Sequence, residues 1–458
     1  MRSLQSVPAA LCRMIIGGAF WLASRLFYSI EFHGLEYDTR APRTYLAISH
    51  RRDLDPIISL PTLLSHRGWR AWAGDIHFAL RDDAFSPGYL AHLLPYPRWL
   101  SRLLHPFSLG SVLRWLGARP LEHLHIRPAE EWIRDVLQIE GDMLCGKVLA
   151  PAFVQDLAAT AGEPGQHIEE SPLSHILSWR YHQVLARYSG PEILIGPTRR
   201  HAEKNLLKQV KEHLADLATW LWSGGSLYGA PEGRLSPGGN IGTISAALHR
   251  LLRASPPDTS IIPISISYDF MTVQRPRIFV DLAHAIASAP GLETRQLDAR
   301  LRQAWLQSAR FTCTQLASSF LLQASRAAAT SFTLNDLAAE VGLQARSLAE
   351  AGRHVDQRLL QSVDMHRLAA AFLMYAARHG LVYRTGRDMW KPRLEKISSL
   401  SDGNTIPIDV PTGHVGYNQM PLAYALNDLQ DMLSMNGTST LETASLSSAD
   451  SDKQGKYK

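Results

Sequence analysis

The sequence predicts an α/β protein, a mixed open sheet flanked by helices, with an N-terminal amphipathic helix and a C-terminal helical domain. Three observations carry this expectation. Short apolar runs bounded by turn residues, such as "TYLAIS" (44–49), read as buried strands. Amphipathic stretches alternate with them, and strands that alternate with helices imply an open sheet covered on its faces. From about residue 294 the strand signals give way to Ala-, Leu- and Arg-rich sequence, which reads as helical.

Taken in order, the chain begins with its most apolar region, "CRMIIGGAFWLASRLFYSIEF", whose first acid is Glu31. The uninterrupted part, Met14 to Ser24, makes a helix of about 16 Å against a hydrocarbon core of about 30 Å, too short to span unless Arg25 snorkels. Arg2, Arg13 and Arg25 beside Phe20, Trp21, Phe27 and Tyr28 suit a helix lying in an anionic membrane interface. The same residues also suit a helix packed on its own domain. After "TYLAIS", Asp55-Pro56 reads as an N-cap and first helical position for a helix through "IISLPTLLSH". "WRAWAG" (69–74) is the next strand candidate. The Leu-, Trp- and Pro-rich stretch after it reads as an apolar wall or lid of short helices, and about 120–190 as an insertion. In "NLLKQVKEHLADLATWLW", Leu206, Leu207, Val210, Leu214, Leu217 and Leu221 share one helical face. "SGGSLYGAPEG" then reads as turn, strand and loop, and "SIIPISISY" and "RIFVDL" as two strands.

This divides the chain into an interfacial helix (1–32), an α/β domain (33–290), a helical domain (294–398) and a tail (402–458). Within the helical domain, "FTLNDLAAEVGLQARSLAEAGRHV" and "HRLAAAFLMYAARHGLVYRTGRDMW" read as helix, turn, helix and a small β wing. The tail lacks aliphatic and aromatic density and reads as disordered. Net charge is +5, a mild basic excess that suits anionic lipids or small anionic substrates without choosing between them. No basic stripe emerges in the helical domain, so no nucleic-acid partner is expected. Cys12, Cys145 and Cys313 are far apart and odd in number, which argues against a disulfide or a zinc site.

Chemistry concentrates in three places. In "SHRRDLD" (49–55), His50 and Asp55 follow a strand, where α/β sheets present ligand groups. Histidine suits proton transfer near neutral pH, and a carboxylate on its other ring nitrogen fixes the tautomer. Asp55 could serve so, with Asp53 as a rival; equally, Asp55 could be only an N-cap and His50 a turn residue. In "LYGAPEGRLSPGGNIG" (227–242), glycines around Glu232 and Arg234 bring backbone N–H groups close to a surface, as an anion site needs. A solvated Gly-rich loop has the same composition. In "GPTRRH" (196–201), Arg199 and Arg200 precede a helix, and arginine forks match phosphate oxygens.

The order and spacing of these blocks resemble the glycerolipid acyltransferases, the glycerol-3-phosphate and 1-acylglycerol-3-phosphate acyltransferases, over roughly 44–282. His50 and Asp55 match that family's His-x4-Asp pair, Pro231, Glu232 and Gly233 its Pro-Glu-Gly block, and Pro263 its apolar-Pro-apolar strand. The chain departs from the family pattern in lacking a phenylalanine in "GPEILIGPTRR". It also reads Pro-Glu-Gly-Arg-Leu-Ser where many members read Pro-Glu-Gly-Thr-Arg-Ser, and its "WLGARPLEHLHIRP" offers Arg119 as a rival phosphate ligand. The resemblance implies a glycerolipid acyltransferase-like fold and an O-acyltransferase of phospholipid biosynthesis. It implies His50 and Asp55 as catalytic residues, and Arg199, Arg200, Glu232, Gly233, Arg234 and Arg119 as the pool of substrate-binding groups. Acyl-CoA or acyl-carrier protein is the implied donor and a phosphorylated glycerol the acceptor. No metal or organic cofactor is implied. The expected setting is the cytoplasmic face of a membrane. The alternative is a membrane-associated lipid-binding protein with this fold and no turnover.

Overall fold

The computed structural model describes residues 6–38, 40–49, 51–52, 55–69, 71–81, 85, 103, 107–108, 110–121, 127–232, 239–287, 289–326, 331–393 and 421–434. The chain opens with α1 (Ser6–Phe27) and β1 (Ser29–His33), followed by β2 (Thr44–Ile48), α2 (Asp55–Arg67) and β3 (Ile76–Arg81). Next come α3 (Gly110–Trp115) and β4 (Ala118–Leu121). Residues 127–195 add β5 (Arg127–Pro128), α4 (Ala129–Glu140), α5 (Pro151–Ala161), α6 (Gly165–Glu169), α7 (Leu173–Ile176), α8 (His182–Leu185) and β6 (Tyr188–Ser189). The main fold resumes with α9 (Gly196–Trp222), β7 (Ser226–Gly229), α10 (Ala246–Ala254), β8 (Ser260–Asp269) and β9 (Arg277–Leu282). Then follow α11 (Thr294–Ser308), α12 (Cys313–Arg326), α13 (Leu334–Glu350), α14 (Ser362–Arg378), the hairpin β10 (Val382–Arg384) and β11 (Trp390–Pro392), and α15 (Pro421–Ser434).

The seven-stranded sheet has the order β1-β9-β8-β2-β7-β3-β4. Strands β8, β2, β7, β3 and β4 pair in parallel, β9 runs antiparallel to β8, and β1 pairs parallel to β9. The sheet is therefore mixed, as expected, with its reversed strands on one edge. β2 is buried along its whole length, which is why it reads as an unbroken apolar run rather than an alternating one. Pro263 lies one residue before the β8–β9 ladder begins at Ile264 and Leu282, where its missing N–H removes no bond from that ladder.

The helices mostly follow their apolar periodicity. On α9, Leu206, Val210, Leu214, Leu217 and Leu221 are buried, while Leu207 faces solvent. Thr333 and Asp336 form a reciprocal capping box at the start of α13. Helix α13, helix α14 and the β10–β11 hairpin follow in the expected order, and Phe332 bridges to Trp390.

Four expectations need correction. The stretch "WRAWAG" is not a strand: Ala71–Asp75 forms a wide helical turn with Gly74 at φ 114°, and β3 starts after it. Trp72 packs instead against Gly17 of α1, where a Cβ would fall 2.6 Å from the indole. Helix α1 is longer than Met14–Ser24. Its 22 residues rise roughly 33 Å, and Ala10–Phe27 is long and apolar enough to cross a membrane by length and composition. Helix α11 belongs to the sheet layer, since the Trp305 indole donates 3.0 Å to the Ala47 carbonyl of β2 and Ser308 meets Ser265 of β8. The tail is not structureless throughout: α15 is buried on nearly every face, its locally apolar sequence having been hidden by the serine-rich residues around it. One contiguous core runs from Ile30 to Met432 and joins the sheet to the C-terminal helices.

Candidate active site

The sheet register brings the expected motifs together. Ala47 of β2 is level with Gly229 of β7 on one side and Pro263 of β8 on the other. The "SHRRDLD" and "APEG" segments thus follow the carboxyl ends of adjacent parallel strands, the side on which open α/β sheets bind ligands. A Cβ at Gly229 would sit 2.9 Å from the Tyr45 hydroxyl and 3.3 Å from the Ala79 Cβ, so a side chain there would displace the Tyr45 hydroxyl. Three expected site residues, His50, Gly233 and Arg234, lie outside the described residues. So does Asp53, the rival to Asp55.

Asp55 is fully buried and begins α2. Its carboxylate turns back along the chain: Oδ2 accepts the backbone N–H groups of Arg51 at 2.7 Å and Arg52 at 2.8 Å. The Tyr268 hydroxyl donates to Oδ1. Burial, with the nearby Asp55 charge, holds the Tyr268 phenol well above its ordinary pKa of 10, so it remains a donor. A carboxylate directed by three donors keeps one orientation. That is what holding an imidazole in a single tautomer requires. Both amide bonds reach residues that precede α2, so the carboxylate organises residues 51–52 from the start of the helix.

The two arginines beside Asp55 are buried and engaged. The Arg52 guanidinium lies over the rings of Tyr268 at 4.0 Å, Phe270 at 4.5 Å and Tyr424 at 5.2 Å. Arg51 donates to the Gly239 carbonyl and pairs with Asp428 of α15. Burial alone would lower the Arg51 pKa, but Asp428, Tyr424, Glu232 and Asp431 outweigh it and raise it, so the guanidinium stays charged.

Glu232 is also buried, and its Oε2 accepts the backbone N–H of Gly242. Ser245 N–H donates 2.8 Å to the Pro231 carbonyl, closing the start of the "APEG" segment onto the residues before α10. Arg302 of α11 donates to the carbonyls of Ile241 at 3.3 Å and Gly242 at 3.0 Å. Glu232 is thereby fixed as a loop-shaping group facing the same strand ends as Asp55.

The remaining arginines are elsewhere. Arg119 sits on β4, level with Ala79 of β3, and its Nε donates 3.3 Å to His77 Nδ1. Burial, with the charges of Arg119 and Arg13, lowers the His77 pKa to about 3, so this imidazole is neutral and can accept. Arg199 and Arg200 are exposed in the first turns of α9, which begins earlier than its apolar periodicity indicated. Arg199 pairs with Glu203 at 3.0 Å. The helix rises roughly 35 Å from Arg199 to Trp222 and leads directly into β7, which extends roughly 13 Å. Asp55 and Glu232 thus follow the ends of neighbouring strands β2 and β7, while Arg119 lies on β4 beside His77 and Arg199 and Arg200 are exposed on α9.

Sequence reasoning missed Tyr268, Arg302, Trp305, Tyr424, Asp428 and Asp431. Only Tyr268 carried a local signal, as the aromatic end of "IPISISYD". Among the described residues no cluster of three or more His, Cys, Asp or Glu side chains could hold a metal ion. No protein family and no curated protein matches the chain.

Proposed function

We propose that this chain is an O-acyltransferase. It moves a fatty acyl group from coenzyme A or acyl-carrier protein to a hydroxyl of glycerol-3-phosphate or 1-acylglycerol-3-phosphate, at the cytoplasmic face of a membrane. The observation that carries this reading is the adjacency of the two motif segments on neighbouring parallel strands, with the buried Asp55 carboxylate oriented by Tyr268 and two backbone amides.

In the proposed step, His50 takes the acceptor hydroxyl proton as that oxygen attacks the thioester carbonyl. The tetrahedral intermediate collapses, the carbon–sulfur bond breaks, and the imidazolium returns the proton to the leaving thiolate. Asp55 stabilises the imidazolium. Because attack is direct, no serine or cysteine nucleophile takes part. With Arg51 and Arg52 engaged, Arg119 bonded to His77 and Arg199 paired with Glu203, Arg234 is the arginine proposed for the acceptor phosphate. Helix α1 supports a lipid setting: it packs on Trp72 through Gly17 and exposes Leu11, Ile15, Leu22 and Leu26 at helical spacing.

A donor-by-acceptor assay of the purified protein in lipid vesicles tests the reading. His50→Ala should lower turnover by about 10²- to 10⁴-fold, the usual contribution of a general base, with an unchanged unfolding midpoint. Undiminished turnover in folded His50→Ala would sink the mechanism. Lipid binding without turnover in the wild type would assign the non-catalytic reading instead.

A further inference from the structure

Helix α15 lies far from both motifs in sequence, yet it touches both. Asp428 pairs with Arg51, next to the proposed general base, and accepts from Gln315 Nε2 through its other oxygen. One turn later, Asp431 accepts the backbone N–H of Ile241 through Oδ2 and the Asn240 amide through Oδ1 at 3.3 Å. The same Asn240 amide reaches the Asn427 carbonyl at 3.4 Å. Residues 239–242 are the ones that hold Glu232, through Gly242 N–H. One helical turn therefore grips the segment after β2 and the far end of the loop after β7.

Two further observations show the fit to be built in. Gly239 has φ 87°, and a Cβ there would fall 2.3 Å from the Tyr424 carbonyl oxygen, a backbone atom that cannot swing aside. The loop can approach α15 only as glycine. Leu422, Ala423, Tyr424, Ala425, Asn427, Leu429 and Met432 are all buried, so α15 is a core element rather than a cover lying on the surface.

We infer that Asp428 and Asp431 are positioning residues of the candidate active site. Asp428 locks the Arg51 guanidinium against the Gly239 carbonyl, and Asp431 locks the Asn240–Ile241 backbone, so the two motif segments keep one mutual geometry. This rests on the acyl-transfer reading for its kinetic consequence, and not for its structural one. Arg51 is on this account a clasp between the motifs, with its charge matched internally by Asp428.

The test uses the full-length protein and two readouts. In acyl transfer from palmitoyl-CoA to glycerol-3-phosphate or lysophosphatidate, Asp428→Asn and Asp431→Asn should each lower kcat about tenfold to a hundredfold, the scale of a misplacement near 1 Å. The donor KM should stay within about twofold, and Asp428→Glu should recover part of kcat. In hydrogen exchange, peptides covering Arg51–Arg52 and Gly239–Gly242 should exchange faster in Asp431→Asn and in Gly239→Ala, while β8 and β9 peptides should not. Unchanged kcat in folded variants would overturn the inference. A rise in turnover or a fall in acceptor KM would also overturn it, because α15 would then be an occluding anion mimic. If the wild type transfers no acyl group, the functional reading fails alone, and hydrogen exchange decides the clamp: unchanged exchange at both segments removes it.

Discussion

The chain contains two adjacent arginine pairs, Arg51-Arg52 and Arg199-Arg200, and the fold treats them in opposite ways. The first pair follows a central strand and is buried. Arg51 is tied to Asp428 and Gly239, and Arg52 lies over three aromatic rings. The second pair stands in the first turns of a long helix and is exposed, with Arg199 bonded to Glu203 on its own helix face. Identical dipeptides thus carry a structural clasp in one place and a solvated surface in the other. The difference arises from what the sheet and α15 bring to each position, so arginine chemistry alone does not assign a phosphate ligand.

Replacing Arg51 should have the largest effect on stability. Arg51→Ala leaves the buried Asp428 carboxylate without its cation and should cost about 3–5 kcal/mol in urea unfolding. A loss no greater than that of a surface arginine would erase the contrast between the pairs.

Arg119 extends the comparison to a third arginine, seated beside His77. With a native pKa of about 3 against an ordinary 6.5, His77 binds its proton in the unfolded state first. Its contribution to stability is therefore complete above pH 6.5 and falls as pH drops toward 3, by ~1.4 kcal/mol per unit. Between pH 7 and pH 5 the wild type should lose about 2 kcal/mol more than His77→Gln. Parallel pH profiles for the two proteins would place the imidazole in solvent.

Asp55→Asn sharpens the role of the segment that Arg51 belongs to. Weakened acceptance from the Arg51 and Arg52 amides should cost about 1–2 kcal/mol, comparable to losing a helix cap, while acyl transfer should fall far more than stability. Proportionate losses of activity and stability would reduce Asp55 to a structural residue. The smallest effect is expected at the exposed pair. Arg199→Ala and Arg200→Ala should shift stability by no more than about 0.5 kcal/mol, and the acceptor KM should not change. A several-fold rise in that KM would return these arginines to the site.

Much of the architecture was legible because it rests on short-range patterning. The unbroken apolar run of β2 and the helical stripe of α9 each depend on residues within a turn or a strand of one another. That "SHRRDLD" and "APEG" each follow a strand was also legible from the strand–helix alternation, while the adjacency of those strands emerged only from the sheet order. The failures are equally specific. "WRAWAG" looked extended because nothing local reveals that Trp72 packs on Gly17. The start of α9 was placed late because its first turns carry polar, exposed residues among which apolar spacing is silent.

By itself the sequence determined the mixed α/β sheet and the order of the motif segments, and it offered Asp55 beside Asp53 as the acidic residue of the first of them. Tertiary structure alone decided which arginines are available, that Tyr268 directs the Asp55 carboxylate, and that α11 and α15 close around the site. The physical reason is range. Helix and strand periodicities are written in neighbouring residues, whereas the partner of a buried charge is chosen by packing, and Arg51 finds its carboxylate in the last described helix of the chain.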